Sequence, residues 1–177
     1  AGDLFGFSVS LSSDGTIVAI GALLNYGNGA EAGHVRVYEY DGTSWNQLGS
    51  DIDSEAAGDW CGRSVSLSSD GTILAVGADK NDGNGTDSGH IRIYEYSGSS
   101  WNQLGSDIDG EASGDRSGCS VSISSDGSRV AIGANTNSGN GTQAGHVRVY
   151  NKTGGVVTTQ ESIDTMDVSG GTVSFIG

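Results

Sequence analysis

Carboxylates at alternate positions are the residues best suited to chemistry in this chain. Asp51, Asp53, Glu55 and Asp59 recur 56 positions later as Asp107, Asp109, Glu111 and Asp115. A spacing of two along extended backbone puts side chains on one face, where their oxygens can converge on a cation; calcium takes about six to eight such ligands. Acidic connections also serve as plain solvated surface, and Asp59 and Asp115 suit turn capping. Histidine recurs as well, at His34, His90 and His146, each two residues before an arginine: Arg36, Arg92 and Arg148. Histidines at the same point of separate units are held apart rather than gathered round one ion, so they are expected to be hydrogen-bonded structural residues. The arginines need acidic partners if partly buried, and phase along the chain nominates Asp3, Asp59 or Asp115.

Nothing assembles a catalytic constellation from sequence. There is no Gly-x-Ser-x-Gly elbow and no His-Glu-x-x-His, and the many serines follow strand alternation. The carboxylate pairs all fall in repeated positions, whereas an active site breaks a repeat. The expectation is therefore a non-enzymatic protein, with a glycan-acting hydrolase or lyase as the enzyme-class alternative. A Gly-x-Gly-x-x-x-Gly run in the long loop mimics a nucleotide fingerprint, yet it leads into a strand rather than a helix, which argues against phosphate binding.

The elements that must position these residues come from a repeat. A 56-residue unit opening at Gly2-Asp3 returns at Gly58-Asp59 and Gly114-Asp115, with Ser-Val-Ser, Ser-Ser-Asp-Gly and Gly-His-x-Arg in nearly fixed register. Such periods mark architectures whose units bury apolar faces only against their neighbours. Within a unit the apolar period is two. Ser8 to Ser12 alternates, Asp14-Gly15 is a hairpin signal, Thr16 to Ile20 is a more continuous apolar strand, His34 to Tyr40 alternates again, and Trp45 to Leu48 supplies a fourth strand before an acidic linker, Ser50 to Asp53. Four antiparallel strands and no helical stripe are a propeller blade's inventory. Residues 1–56, 57–112 and 113–155 read as three blades, and 156–177 as divergent strands, with Val156 to Ile163 replacing the Trp-Asn-Gln-Leu strand and Thr172 to Ile176 as a further apolar run. That tail is expected to cap an open edge or to pair with another chain. Three units of four strands also match a β-trefoil, the alternative fold.

Phe5-Gly6-Phe7-Ser8-Val9, followed by Val18-Ala19-Ile20-Gly21-Ala22, resembles the FG-GAP repeat, the blade of the seven-bladed propeller in integrin α subunits and of many secreted repeat proteins. The resemblance runs over residues 2 to 153. Phe-Gly becomes Cys61-Gly62 and Ser117-Gly118 in later units, and the final proline of the motif is Leu23, Asp79 and Asn135 here. The calcium site of that family lies between its first two strands. Here the connection is only Ser12-Ser13-Asp14-Gly15, with a single carboxylate, so that site does not carry over and Asp14, Asp70 and Asp126 read as turn chemistry.

Composition narrows the partners. With 22 acidic residues against 8 basic ones, a net charge of −14 disfavours nucleic acid and anionic membranes. No run approaches the roughly 20 apolar residues of a membrane span. The chain begins without Met and reads as a mature or excised piece. Asn84-Gly85-Thr86, Asn140-Gly141-Thr142 and Asn151-Lys152-Thr153 are glycosylation sequons, two of them at one structural phase. Cys61 and Cys119 lie at nearly equivalent sites of adjacent units; a disulfide between them is expected, contributing about 4 kcal/mol by chain entropy, against the alternative of two buried thiols. The whole reads as an extracellular module for adhesion, ligand display or structural assembly, its partners being further copies of itself or extracellular protein or glycan. A secreted carbohydrate-binding or glycan-processing protein is the alternative. Roughly four to eight blades close a propeller, so three imply a segment of a longer ring, chains that complete one another, or an open stack.

Overall fold

The computed structural model describes residues 2–153 and 156–163, and among these it contains strands and turns but no helix. The first sheet comprises β1 (Ser8–Leu11), β2 (Ile17–Ala22), β3 (His34–Tyr40), β4 (Trp45–Gln47) and β5 (Ile52–Asp53). The second repeats it as β6 (Ser64–Leu67), β7 (Ile73–Ala78), β8 (His90–Tyr96), β9 (Trp101–Gln103) and β10 (Ile108–Asp109). The third holds β11 (Ser117–Ile123), β12 (Arg129–Ala134), β13 (His146–Thr153) and β14 (Val156–Ile163). All strand pairs within the sheets are antiparallel, in the up-and-down order β1-β2-β3-β4, and the sheets stack face to face as three propeller-type blades. That stacking leaves no place for the trefoil alternative.

Turn chemistry closes the first hairpin as its sequence expects. Asp14 Oδ1 accepts hydrogen bonds from the Thr16 amide at 3.0 Å, the Thr16 hydroxyl at 2.8 Å and the Ser12 hydroxyl at 2.7 Å. These bonds, the Thr16 amide foremost, hold the carboxyl down at about 2. Asp70 and Asp126 repeat the arrangement, with their carboxyls also lowered.

Two cores lie between blades rather than within them. Ala19, Val35, Val37 and Ile52 of the first blade meet Cys61, Val65, Leu67, Leu74, Val76 and Tyr94 of the second. Ile73, Ala75, Ile91 and Ile93 on the second blade's other side meet Val130 and Ile132 of the third, with Val121, Ile123 and Tyr150 packed against them. Alternation therefore sends each strand's even and odd side chains into different interfaces. Hydrogen bonds tie the innermost strands across the gap: Ser8 Oγ donates to Gly62 O at 2.7 Å and the Leu67 amide to Ser10 Oγ at 3.0 Å. Ser64 Oγ to Gly118 O and the Ile123 amide to Ser66 Oγ repeat them one blade on.

The structure corrects one reading. The acidic linker after the fourth strand is itself sheet: β5 pairs with His34 and Val35 of β3, so β4 and β5 are two halves of one broken outer strand. Val156–Ile163 takes the place of the Trp-Asn-Gln-Leu strand, as the outer strand of the third blade paired with β13 from Val147 to Thr153. The Thr172 to Ile176 run lies outside the described residues.

Candidate functional site at the blade junctions

The repeated charged residues meet where each outer strand breaks. Arg36 projects from the middle of β3 and makes a two-point pair with Asp51, Nε to Oδ1 at 2.9 Å and Nη2 to Oδ2 at 2.8 Å. Gln47 donates to the same Asp51 Oδ1 at 2.7 Å. In the second blade Arg92 pairs with Asp107 at 2.8 and 2.7 Å, Gln103 again supports the carboxylate, and Glu55 arrives from the preceding unit to meet Arg92 Nη2. In the third, Glu111 reaches Arg148 from the second unit, and the position of Asp51 and Asp107 is taken by Ile163. Glu55 and Glu111 thus bind across blades, while Asp51 and Asp107 bind within one.

His34 and His90 are buried beside these pairs. His90 Nδ1 has no hydrogen-bond partner; its nearest acceptors are Glu55 Oε1 at 3.4 Å and Asp107 Oδ2 at 3.6 Å. Burial, with Arg92 beside it, lowers its pKa, and burial with Arg36 does the same to His34. The hydrogen-bonded role expected of the histidines is not met at His90, because the guanidinium already takes the oxygens it faces.

The arginine partners are therefore Asp51, Asp107, Glu55 and Glu111, and not the Asp3, Asp59 or Asp115 suggested by phase. Asp59 and Asp115 cap turns. Asp59 Oδ2 accepts from Ser54 Oγ at 2.8 Å, the Ala56 amide at 3.1 Å and Asn81 Nδ2 at 3.1 Å. Asp115 Oδ2 accepts from the Ala112 amide and Asn137 Nδ2. Asp53 stands 3.9 Å from His34 Nδ1, and Asp109 lies opposite His90 in the strand register. The eight carboxylates do not converge on one centre. Two smaller groups, His34 with Asp51 and Asp53, and His90 with Glu55 and Asp107, bring ligand-type atoms within 4.8 Å of one another. Calcium takes about six to eight oxygens, and in these groups Asp51, Asp107 and Glu55 also pair with a guanidinium, while Asp53, among the described residues, does not.

Asn25, Asn81 and Asn137 stood at one phase of the repeat, and that was the available signal for a role not read from sequence. Each accepts from the glycine amide two residues on, and Asn81 and Asn137 also reach the buried Asp59 and Asp115. Asn84 Nδ2 donates to the carbonyls of Gly110 and Glu111, so this sequon nitrogen secures the inter-blade connection; Asn140 is exposed, and Asn151 accepts from Arg129. The expected disulfide is absent. Cys61 lies in the core between the first two blades, Cys119 beside Gly133 within the third, and both are free thiols.

A groove of about 340 Å³ opens beside the first of these clusters, lined by Asp51, Asp53, Tyr94 and Trp101 with Ser50 and Ser100. Trp101 is fixed there by its Nε1 bond to Leu48 O at 3.0 Å and by Tyr96, 5.2 Å away between ring centres.

The FG-GAP repeat profile matches residues 1–38 and 52–94. These stretches, under half of the chain, are similar to FG-GAP repeats. The match takes in β1, β2 and most of β3 in the first blade and runs from β5 through most of β8, and Asp51 falls one residue outside it. No curated protein sequence matches the chain. Among solved structures, a Bacteroides uniformis protein carrying the name 6-phosphogluconolactonase is similar, with a TM-score of 0.57 at 14% identity over 88% of this chain and 38% of that one. At that identity the likeness is one of fold, and this chain spans well under half of the other protein's length.

Proposed function

We propose that this chain is a non-enzymatic extracellular module for adhesion, ligand display or structural assembly. FG-GAP repeats are typical of extracellular adhesion-type modules, and among the described residues no helix is long and apolar enough to cross a membrane. The observation that carries the reading is the use made of the repeated polar residues. Arg36, Arg92, Glu55, Glu111, Asp59 and Asp115 are engaged in holding strands, turns and blades together. A side chain locked into a two-point ion pair has little freedom to exchange protons with a substrate. What the module offers to partners is its exposed rim and faces.

One observation favours carbohydrate as the ligand: the groove sets Trp101 and Tyr94 beside two carboxylates, the apolar-face and hydroxyl-acceptor combination that suits a sugar ring. A glycan array and a plate assay against extracellular matrix proteins test the reading, run beside a hydrolysis assay on sugar lactones and oligosaccharides. Binding without turnover is the expected result. Turnover of any of these substrates by the purified chain overturns it.

A further inference from the structure

We infer that His90, Glu55 and Asp107 form a binding site for one zinc-type dication, which clamps the connection leaving the first blade onto the second. His90 opens β8, Asp107 stands immediately before β10, and Glu55 lies in the stretch between β5 and β6. The ligand-type atoms of the three fall within 4.8 Å of one another. An acidic surface often places carboxylates near an imidazole; what sets this group apart is the imidazole itself. His90 is 3% exposed, and its Nδ1 is buried with no hydrogen-bond partner. A polar atom left unpaired away from water is costly, and this one faces two carboxylate oxygens that it does not bond.

The separations suit a metal better than a hydrogen bond. Nδ1 is 3.4 Å from Glu55 Oε1 and 3.6 Å from Asp107 Oδ2, whereas hydrogen bonds from nitrogen to oxygen are about 2.7–3.2 Å long. Ligand atoms about 2.0–2.1 Å from a zinc ion and arranged tetrahedrally stand about 3.3 Å from one another. The observed gaps are therefore close to the edges of such a tetrahedron. One imidazole with two carboxylates is a donor set that zinc accepts, completing its four positions with water, whereas calcium prefers oxygen alone and more of it. The ion has a way in, since the Glu55 and Asp107 side chains are 45% and 25% exposed.

Arg92 is the competitor. Its Nη2 meets both Glu55 Oε1 and Asp107 Oδ2, while its Nε holds Asp107 Oδ1. A carboxylate has about four lone-pair sites, so Asp107 can keep the Nε bond while Oδ2 turns to the metal; Nη2 must give up Glu55. The charges favour the exchange. Two carboxylates against one guanidinium leave the group negative, and Asp59 adds to the negative field at His90. The other junctions lack part of the set. Glu111 stands 3.8 Å from His146 Nδ1, but Ile163 replaces the aspartate. His34 has Asp51 at 3.5 Å and a half-exposed Asp53 at 3.9 Å. Among the described histidines, His90 is the one with an orphaned buried nitrogen.

The clamp is independent of what the module binds, and its test is separate from ligand capture. Zinc chloride titrated calorimetrically into the untagged chain at neutral pH is expected to show one tight equivalent. Cobalt in its place is expected to give the strong visible absorption of a tetrahedral site. Zinc should raise the melting temperature and calcium should not. Groups that merely orient a metal ligand are worth about ten- to a hundredfold in affinity, so His90→Gln and Glu55→Gln are each expected to weaken zinc by roughly a hundredfold or more. His34→Gln is expected to keep the parental affinity and the single equivalent. Melting of each variant without metal shows that it is folded, and His90→Gln removes a nitrogen that holds nothing in place. No tight zinc in the parent, parental affinity in His90→Gln or Glu55→Gln, or loss of zinc in His34→Gln overturns the inference.

Discussion

Arg92 and Asp107 face each other through two parallel hydrogen bonds, Nε to Oδ1 at 2.8 Å and Nη2 to Oδ2 at 2.7 Å, with Glu55 of the preceding unit on the same guanidinium. One cation thereby joins the outer strand of its own blade to the connection from its neighbour. Arg36 has the first of these partners but no glutamate, and its side chain is 37% exposed against 16% for Arg92. Replacing Arg92 by Met leaves two carboxylates together and is expected to cost about 3 kcal/mol. The same change at Arg36 is expected to cost less than about 1 kcal/mol. Urea unfolding of the two variants measures the difference.

Acid should unfold the protein in two stages. His34 and His90 have folded pKa values depressed below the ordinary histidine range, so the stability they favour is complete above about 6.5 and declines as pH falls below it. Asp107, held at about 2 chiefly by Arg92, keeps its contribution above the unfolded value of about 3.9 and loses it as pH falls toward 2. That second stage amounts to about 2 kcal/mol. Melting temperature followed from pH 8 to 2 should show both declines, and His90→Gln should flatten the first.

A methyl group at two equivalent glycines should have unequal effects. At Gly77 it strikes the Gly118 carbonyl of the next blade as well as Ser64 Oγ, whereas at Gly133 it meets only side-chain atoms, Ser120 Oγ and Cys119 Sγ. Backbone cannot turn away as a hydroxyl can. Gly77→Ala is expected to cost about 3 kcal/mol and Gly133→Ala less than about 1, measured by calorimetry.

The thiols provide a chemical check on the blade order. Ellman's reagent should find two reactive groups in denatured protein. In native protein Cys61 should resist, since it is 5% exposed and its burial pushes the thiol up to about 12. A single band with no free thiol after denaturation would mean that the blades bring the two sulfurs together.

Calcium should leave the melting temperature unchanged, and chelator likewise. Of the carboxylates that a cation would need, Asp51, Glu55, Asp107 and Glu111 are already paired with Arg36, Arg92 and Arg148. A rise of several degrees with millimolar calcium would show that the ion displaces the guanidinium.

Much of the fold was legible because period-two alternation and Asp-Gly turns are local signals. Ser8 to Leu11 and Asp14-Gly15 form the hairpin their types predict. The second half of the outer strand was not legible: Ile52–Asp53 is two residues long, flanked by polar residues, and held by β3 rather than by any propensity of its own. The ion pairs were hidden for a related reason. Arg36 finds Asp51 across the sheet, fifteen positions away, and Arg92 draws Glu55 from a different unit, whereas phase along the chain compares residues only with their own copies. The repeated carboxylates divide between arginine pairs, at Asp51 and Asp107, and turn caps, at Asp59 and Asp115, and neither partner set is visible in their phase. Cys61 and Cys119 failed similarly, since nearly equal phase says nothing about whether a whole blade stands between.

The contact of Gly62 with Gly21, and of Gly118 with Gly77, is backbone on backbone. The pitch of the array is consequently fixed by main-chain dimensions that no substitution of side chains alters. Filling residues can drift, as Phe5 has to Cys61, while every unit still presents the same tilt to the next, and copies can be added or exchanged during evolution without refitting the others.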